Sequence, residues 1–283
     1  RSTAMTMRGV SSIFAVLLVA CAAAPQSEPA RTQRQAIALN QSARAAFERG
    51  DLTRARQLYE QALATDTSIE NADGIAMNAL SLAQVHQMLG EPDAAQRYLD
   101  RLLEDSEPPI PRERKAEAAA RKAQLALGVG DAAATERWAD TGITLCAGSC
   151  SAQAALLNLH ARAALARADN SAAIEWAARA QSAATDERGR TERANALRVI
   201  GEARLALGEQ RAAIHALEQA LALDKALGLP QRIYSDLMLL GRAHAALGER
   251  EAARGYFRRS LAVANAAKDA DGARQAQAAL DKE

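Results

Sequence analysis

The fold is decided by two stretches that share one pattern, "LALGEQRAAIHALEQAL" (Leu205–Leu221) and "AALGEREAARGYFRRSL" (Ala245–Leu261). In each, Leu-Gly-Glu is followed by small and large apolar residues at steps of three to five. A glycine at this place tolerates the left-handed conformation that ends a helix, and the acid after it is suited to cap the next one. Small residues on one helix face let a second helix pack closely. The pattern therefore predicts a helical hairpin.

The hairpin pattern recurs through the chain at a period of about 40 residues. The turn residue stands at positions 50, 90, 130, 168, 208 and 248, and it is glycine everywhere except at Ala168. Regular spacing of this size is typical of repeat architectures, in which stacked units bury a continuous core. We expect six units, followed by a polar capping helix over 271–283; the units span about 36–75, 76–115, 116–153, 154–193, 194–233 and 234–269.

The composition agrees with an all-α fold. Of 283 residues 49% are hydrophobic, but only 3% are aromatic, and Ala, Leu, Arg, Gln and Glu fill every window. These residues favour helices and make a β-sandwich or barrel improbable. Beyond Cys21 the chain carries 33 basic and 34 acidic side chains, because Arg1 and Arg8 precede that cysteine. Such a balance argues against a nucleic-acid-binding protein, because proteins of that class typically carry an excess of basic residues.

The repeated residues resemble those of the tetratricopeptide repeat, although the usual period of that family is about 34 residues. The resemblance is strong in units one, two, five and six and degenerate in units three and four. It implies a right-handed α-solenoid whose first helices line a concave groove that binds a protein or peptide. Applied to this chain, the family's groove positions are Asn40, Arg44, Gln84, Gln87, Gln124, Asn158, Arg162, Asn195, Arg198 and Arg242. The alternative is that these side chains form an ordinary solvated inner face.

The N-terminal segment predicts export. From Met7 onward a single positive charge, Arg8, precedes a short apolar run, which is typical of a signal peptide over 1–20 and too short for a membrane span. The residues before Met7 read as non-native or read-through. Leu18-Val19-Ala20-Cys21 resembles the bacterial lipobox, which implies a lipid on Cys21, a flexible spacer over 21–35 and, because Ala22 is not Asp, the periplasmic face of the outer membrane. The alternative is an ordinary cysteine of the signal region.

Two further cysteines, Cys146 and Cys150 in "CAGSC", agree with an oxidising compartment. A disulfide between them would close a very small loop and pin a local turn. Two unpaired thiols, or a redox or metal pair, are the alternatives.

No motif predicts catalysis, a metal site or a cofactor. The four histidines are scattered, and "GVGDAA" (Gly128–Ala133) follows a helix instead of the strand that a dinucleotide loop needs. We therefore expect a non-enzymatic scaffold or adaptor for a periplasmic or outer-membrane protein or peptide in envelope biogenesis or assembly. The alternative is a glycan-handling or regulatory subunit of an exopolysaccharide or peptidoglycan system.

Overall fold

A computed structural model describes residues 30–148, 150–187 and 189–283. The predicted signal peptide, Cys21 and most of the predicted spacer lie outside the described residues. Within these ranges the chain forms thirteen α-helices and no strand. The helices are α1 Arg31–Glu48, α2 Leu52–Ser68, α3 Ala72–Met88, α4 Pro92–Leu103, α5 Arg112–Gly128, α6 Ala132–Cys146, α7 Gln153–Ala166, α8 Asn170–Ala183, α9 Arg190–Ala206, α10 Gln210–Leu227, α11 Pro230–Ala246, α12 Arg250–Ala266 and α13 Ala270–Leu280.

The helices pair into six hairpins that stack in chain order, and α13 packs on α12 at the end of the stack. The first helices of neighbouring hairpins, α1, α3, α5, α7, α9 and α11, also contact one another along the stack. They form the inner layer, and the second helices form the outer layer. The right-handed all-α solenoid with a capping helix predicted from the sequence is confirmed.

The turns inside the hairpins have the predicted left-handed backbone. Gly208 has a φ of 77° between α9 and α10. The N–H of the next residue, Glu209, donates to the Arg204 carbonyl at 2.8 Å, which closes the end of α9. In unit four, Ala168 adopts a φ of 59° at the same place, so the turn is kept without the residue that best tolerates it.

The acid after each turn caps the next helix only where it is Asp. Asp51 accepts a hydrogen bond from the Arg54 N–H at 3.1 Å, as expected of an N-cap residue. The longer Glu91, Glu209 and Glu249 make no cap hydrogen bond, so the predicted capping role is wrong for them. The Glu91 carboxylate instead lies 2.6 Å from Nδ1 of His86 in the preceding helix.

Close packing of the two layers depends on small residues, namely alanine and glycine. Ala213 and Ala243 are fully buried, and a Cβ added to Gly201 would lie 2.7 Å from Cδ2 of Leu217. The first and second helices of a hairpin therefore approach to a distance that excludes even a methyl group at such positions. This geometry sets how far each first helix protrudes into the concave side.

One predicted boundary is wrong. The sequence placed the start of the solenoid at residue 36, but α1 begins at Arg31. Residues 31–35 therefore belong to the first helix and not to the spacer. Their side chains, apart from the intermediate Thr32, are exposed, so no apolar periodicity marked this extra turn.

Candidate functional site: a polar groove on the inner layer

A groove of about 360 Å³ crosses the inner layer between α5, α7, α9 and α11. It collects five of the predicted groove residues, which lie in units three to five. The lining is mainly amide, guanidinium and carboxylate groups over a few alanine and leucine side chains. The polar lining residues are Gln124, Asn158, Arg162, Glu192, Asn195, Arg198, Gln231, Arg232 and Ser235.

The floor of the groove is held by two asparagines that share one carboxylate. Asn158 Nδ2 donates to both the carbonyl and Oε2 of Glu192, each at 2.8 Å. Asn195 Nδ2 donates to the same Oε2 at 3.1 Å. These bonds join α7 to α9 across the inner layer. The amide side chains are thereby oriented, with their oxygens turned away from Glu192.

A charged cluster lies directly beneath this floor. Nη1 of Arg198 donates to Oδ1 of Asn195 at 3.2 Å, and its Nε donates to Oδ1 of Asp236 at 2.6 Å. Nη2 of Arg198 is paired with Asp224. Burial raises the pKa of Asp236 to about 7, although the hydrogen bond and charge of Arg198 act in the opposite direction. Arg198 is therefore a structural member of the floor, and it offers little free guanidinium to a ligand.

Two polar atoms of the groove lining have no hydrogen-bond partner among the described residues. They are Oδ1 of Asn158 and Nη1 of Arg232, and both are buried. A buried polar atom without a partner carries a penalty of about 1–3 kcal/mol, so native proteins keep few of them without a reason. One atom is an acceptor and the other a donor. A ligand that offers both an N–H and a carbonyl or carboxylate oxygen would satisfy them together.

The other predicted groove residues are not part of this groove. Asn40 donates to Asn78 at 2.8 Å, Arg44 pairs with Glu48 on its own helix, and Gln84 accepts from Arg121 at 3.1 Å. Gln87 is exposed, and Arg242 lines a separate cavity of about 550 Å³ between α11 and α13. In units one and two, Asn40 and Gln84 are thus engaged by side chains of the next unit.

The sequence reasoning missed Glu192, Gln231 and Arg232, because they lie at or before the first family position of their units. It also missed Asp224 and Asp236, the partners of Arg198. The sequence did carry a signal for these two acids, because each of them interrupts an otherwise apolar helix face.

The two body cysteines lie together. The structure joins Cys146 and Cys150 in a disulfide with their Cα atoms 5.1 Å apart, at the end of α6. No group of three His, Cys, Asp or Glu side chains suited to a metal ion occurs in the described part of the chain. Among the same residues, no helix combines the length and the apolar character that a bilayer crossing requires.

Comparison with known families supports the repeat assignment. Residues 34–107 and residues 237–271 each match a model of the tetratricopeptide repeat. These segments cover the two ends of the stack, where the repeat pattern is strongest. No curated protein matches the sequence of the chain.

Solved structures share the architecture. The chain is similar to PilW, described as a widely conserved type IV pilus biogenesis factor, with a TM-score of 0.62 and 16% identity over 86% of this chain and 98% of that one. A Rap protein complexed with competence and sporulation factor gives a TM-score of 0.61 and 14% identity over 87% and 70%. BtubC from P. vanneervenii gives a TM-score of 0.56 and 16% identity over 85% of this chain and 93% of that one. At these identities the likeness establishes the fold.

Proposed function

We propose that this protein is a non-enzymatic scaffold that binds an extended peptide segment of a partner protein in the groove of units three to six. The observation that carries the proposal is the pair of unpartnered buried atoms, Asn158 Oδ1 and Arg232 Nη1. Each unit of an extended peptide backbone offers one N–H donor and one carbonyl acceptor. A backbone laid along the floor would supply a partner to both atoms, and Gln124, Gln231 and Ser235 offer further hydrogen bonds.

The charge of the groove favours a peptide that carries a carboxylate. Arg162 is exposed on the rim, and Arg232 adds a second guanidinium, whereas Arg198 is already paired with Asp224 and Asp236. Glu192 is already engaged by Asn158 and Asn195. The free cations of the lining are therefore those of Arg162 and Arg232, and a guanidinium binds a carboxylate by two parallel hydrogen bonds.

We further propose that a lipid on Cys21 anchors the protein to the periplasmic face of the outer membrane, where it serves envelope biogenesis or assembly. The lipobox resemblance and the cysteine pair support this part of the proposal. Confinement by the lipid would raise the effective concentration of the groove near membrane partners. PilW is a type IV pilus biogenesis factor, and the Rap protein was solved in complex with competence and sporulation factor, so two proteins of similar fold offer precedents for assembly and for binding.

The glycan-handling alternative has less support. Sugar rings usually stack on aromatic side chains, and none of the described residues that line the groove is aromatic. Phe47, an aromatic residue of the inner-layer helix α1, packs against the apolar cluster of units one and two.

Photocrosslinking in cells tests the groove. A photoreactive amino acid is placed at Arg162, on the groove rim, and in a matched strain at Arg137, which is also exposed but lies on the outer-layer helix α6. We expect a partner protein to be captured from position 162 and not from 137. The crosslink should weaken when Arg232→Glu is added. Equal capture from both positions would show that binding does not use the groove.

Fractionation tests the anchor. Replacement of Cys21 by Ser should move the protein from the membrane fraction to the soluble fraction and abolish incorporation of labelled fatty acid. A Cys150→Ser variant is the control, because it replaces another cysteine without touching the lipobox. Continued membrane association of the Cys21→Ser variant, with unchanged labelling, would contradict lipid attachment at this residue.

A further inference from the structure

The cluster beneath the groove contains more negative than positive groups. Asp224 and Asp236 are both 0% exposed and Arg198 is 8% exposed. The single guanidinium bonds both carboxylates. One cation cannot balance two anions, and an uncompensated charge in the interior is strongly unfavourable. The cluster is therefore electrically neutral only when one carboxyl group holds a proton.

The same slots in units one and two provide an internal comparison. Asn40, Asp66 and Asn78 each precede their counterparts Arg198, Asp224 and Asp236 by 158 positions. There a single carboxylate is bonded by amides: Asn78 Nδ2 donates to Asp66 at 2.8 Å, and Asn40 donates to Asn78. That cluster contains one acid and no buried cation. The second acid is thus a feature of units five and six and not a requirement of the fold.

The structure also provides a place for the proton. Oδ1 of Asp224 is buried and has no hydrogen-bond partner among the described residues. Burial raises the pKa of Asp236, the neighbouring Asp224 carboxylate adds a smaller effect in the same direction, and a protonated Asp236 can donate to Asp224. The proton that makes the cluster neutral is therefore placed on Asp236, facing the Asp224 carboxylate.

The neighbouring elements add few charges to the cluster. α9 contributes Arg198 and, through Asn195, Glu192; α10 contributes Asp224. On α11, Arg232 lies one turn before Asp236 and lines the groove. α12 presents the Ser260 hydroxyl to the backbone carbonyl of Tyr234, and none of its charged side chains bonds the cluster within the described ranges.

We propose that the Arg198–Asp224–Asp236 cluster is a proton-responsive switch that sets the hydrogen bonding and charge of the groove floor. When Asp236 loses its proton, the cluster gains one negative charge beneath Asn195. Arg198 is then drawn toward the two carboxylates and away from Asn195. The freed Asn195 reorients against Glu192, which changes the bonds of Asn158. The consequence for ligands rests on the function proposed above: a carboxylate-bearing peptide is bound more weakly as the pH rises through neutrality.

Nuclear magnetic resonance tests the switch without any ligand. The full chain is labelled with ¹³C at aspartate carboxyl carbons and with ¹⁵N at asparagine side chains, and spectra are recorded from pH 5 to 9. We expect one aspartate carboxyl to titrate with a midpoint near pH 7. The side-chain amide signals of Asn195 and Asn158 should shift with the same midpoint.

Asp236→Asn is the decisive variant, because asparagine already occupies the matching position at Asn78. It should remove the aspartate titration near pH 7 and make the side-chain amide signals of Asn195 and Asn158 independent of pH. Asp105→Asn, on an exposed acid, is the control and should leave both unchanged. If Asp236→Asn does not fold, Asp224→Asn takes its place.

Two results would overturn the proposal. The first is that every aspartate carboxyl of the wild-type protein titrates below pH 5. The second is that an aspartate carboxyl titrates near pH 7 but the side-chain amide signals of Asn195 and Asn158 do not shift with it. Neither result depends on a partner, so failure of the switch and failure of the groove as a peptide site are recorded by separate experiments.

Discussion

Replacement of Gly241 by alanine should reveal how closely the two layers of a hairpin pack. Gly241 lies within α11 and faces Phe257 of α12. A Cβ at this position would lie 2.6 Å from Cδ1 and 2.8 Å from Cζ of the ring. Phe257 is only 3% exposed, so the ring has little free space into which it can turn.

The expected magnitude is the difference between two opposing effects. Alanine in place of glycine in a helix interior stabilises by about 1 kcal/mol, whereas an extra methyl group in a packed core costs about 1–3 kcal/mol. Gly255 separates the two effects, because it lies in α12 with no atom within 4 Å of its added Cβ. We expect Gly255→Ala to be stabilised by about 1 kcal/mol and Gly241→Ala to be destabilised by up to about 2 kcal/mol.

Urea unfolding followed by far-ultraviolet circular dichroism measures both variants. Gly241→Ala should lower the free energy of unfolding less in a Phe257→Leu background than in the wild-type protein, because the smaller leucine side chain makes room for the methyl group. Equal shifts of the urea midpoint by Gly241→Ala and Gly255→Ala, both in the stabilising direction, would refute the predicted clash. That result would mean that the contact with Phe257 relaxes without cost.

Three further outcomes are expected. Asn71→Ala removes the N-cap of α3 and a hydrogen bond to the buried Asp66, and it should lower the unfolding free energy by about 1–2 kcal/mol; a loss no larger than that of an exposed substitution would contradict the cap. Leu240→Ala deletes a fully buried side chain and should cost about 2–5 kcal/mol in the same assay, and a change below 1 kcal/mol would be inconsistent with its burial. Cys146 and Cys150 should react with a maleimide only after reduction, as read by intact mass; labelling of the unreduced protein would show free thiols.

Much of the architecture could be predicted from the repeat. A helical hairpin is a local structure, and its turn residue, its small residues and its period all occur within one unit of about 40 residues. The stacking of units then follows, because every hairpin carries an apolar face that it cannot bury by itself. Prediction was weaker where a feature carried no apolar periodicity, as at the exposed first turn of α1, residues 31–35.

The candidate site could be predicted only in part. Family positions located Gln124, Asn158, Arg162 and Asn195 on the inner face, and the structure brings these four into one groove. They did not distinguish Arg162, which is exposed, from Arg198, which two buried acids engage. Burial of a charged side chain depends on residues that are 26 and 38 positions away, and no local pattern records that pairing.

Local order in this protein, namely the helices, their turns and the number of hairpins, is thus a property of short segments, because helix propensity, capping and apolar spacing act within a few turns. The identity of the groove is a property of the stack. The unpartnered atoms of Asn158 and Arg232 and the excess carboxylate beside Arg198 exist only where α7, α9, α10 and α11 meet. Hydrogen bonding and desolvation depend on what surrounds a group in space, and packing of distant segments decides those surroundings.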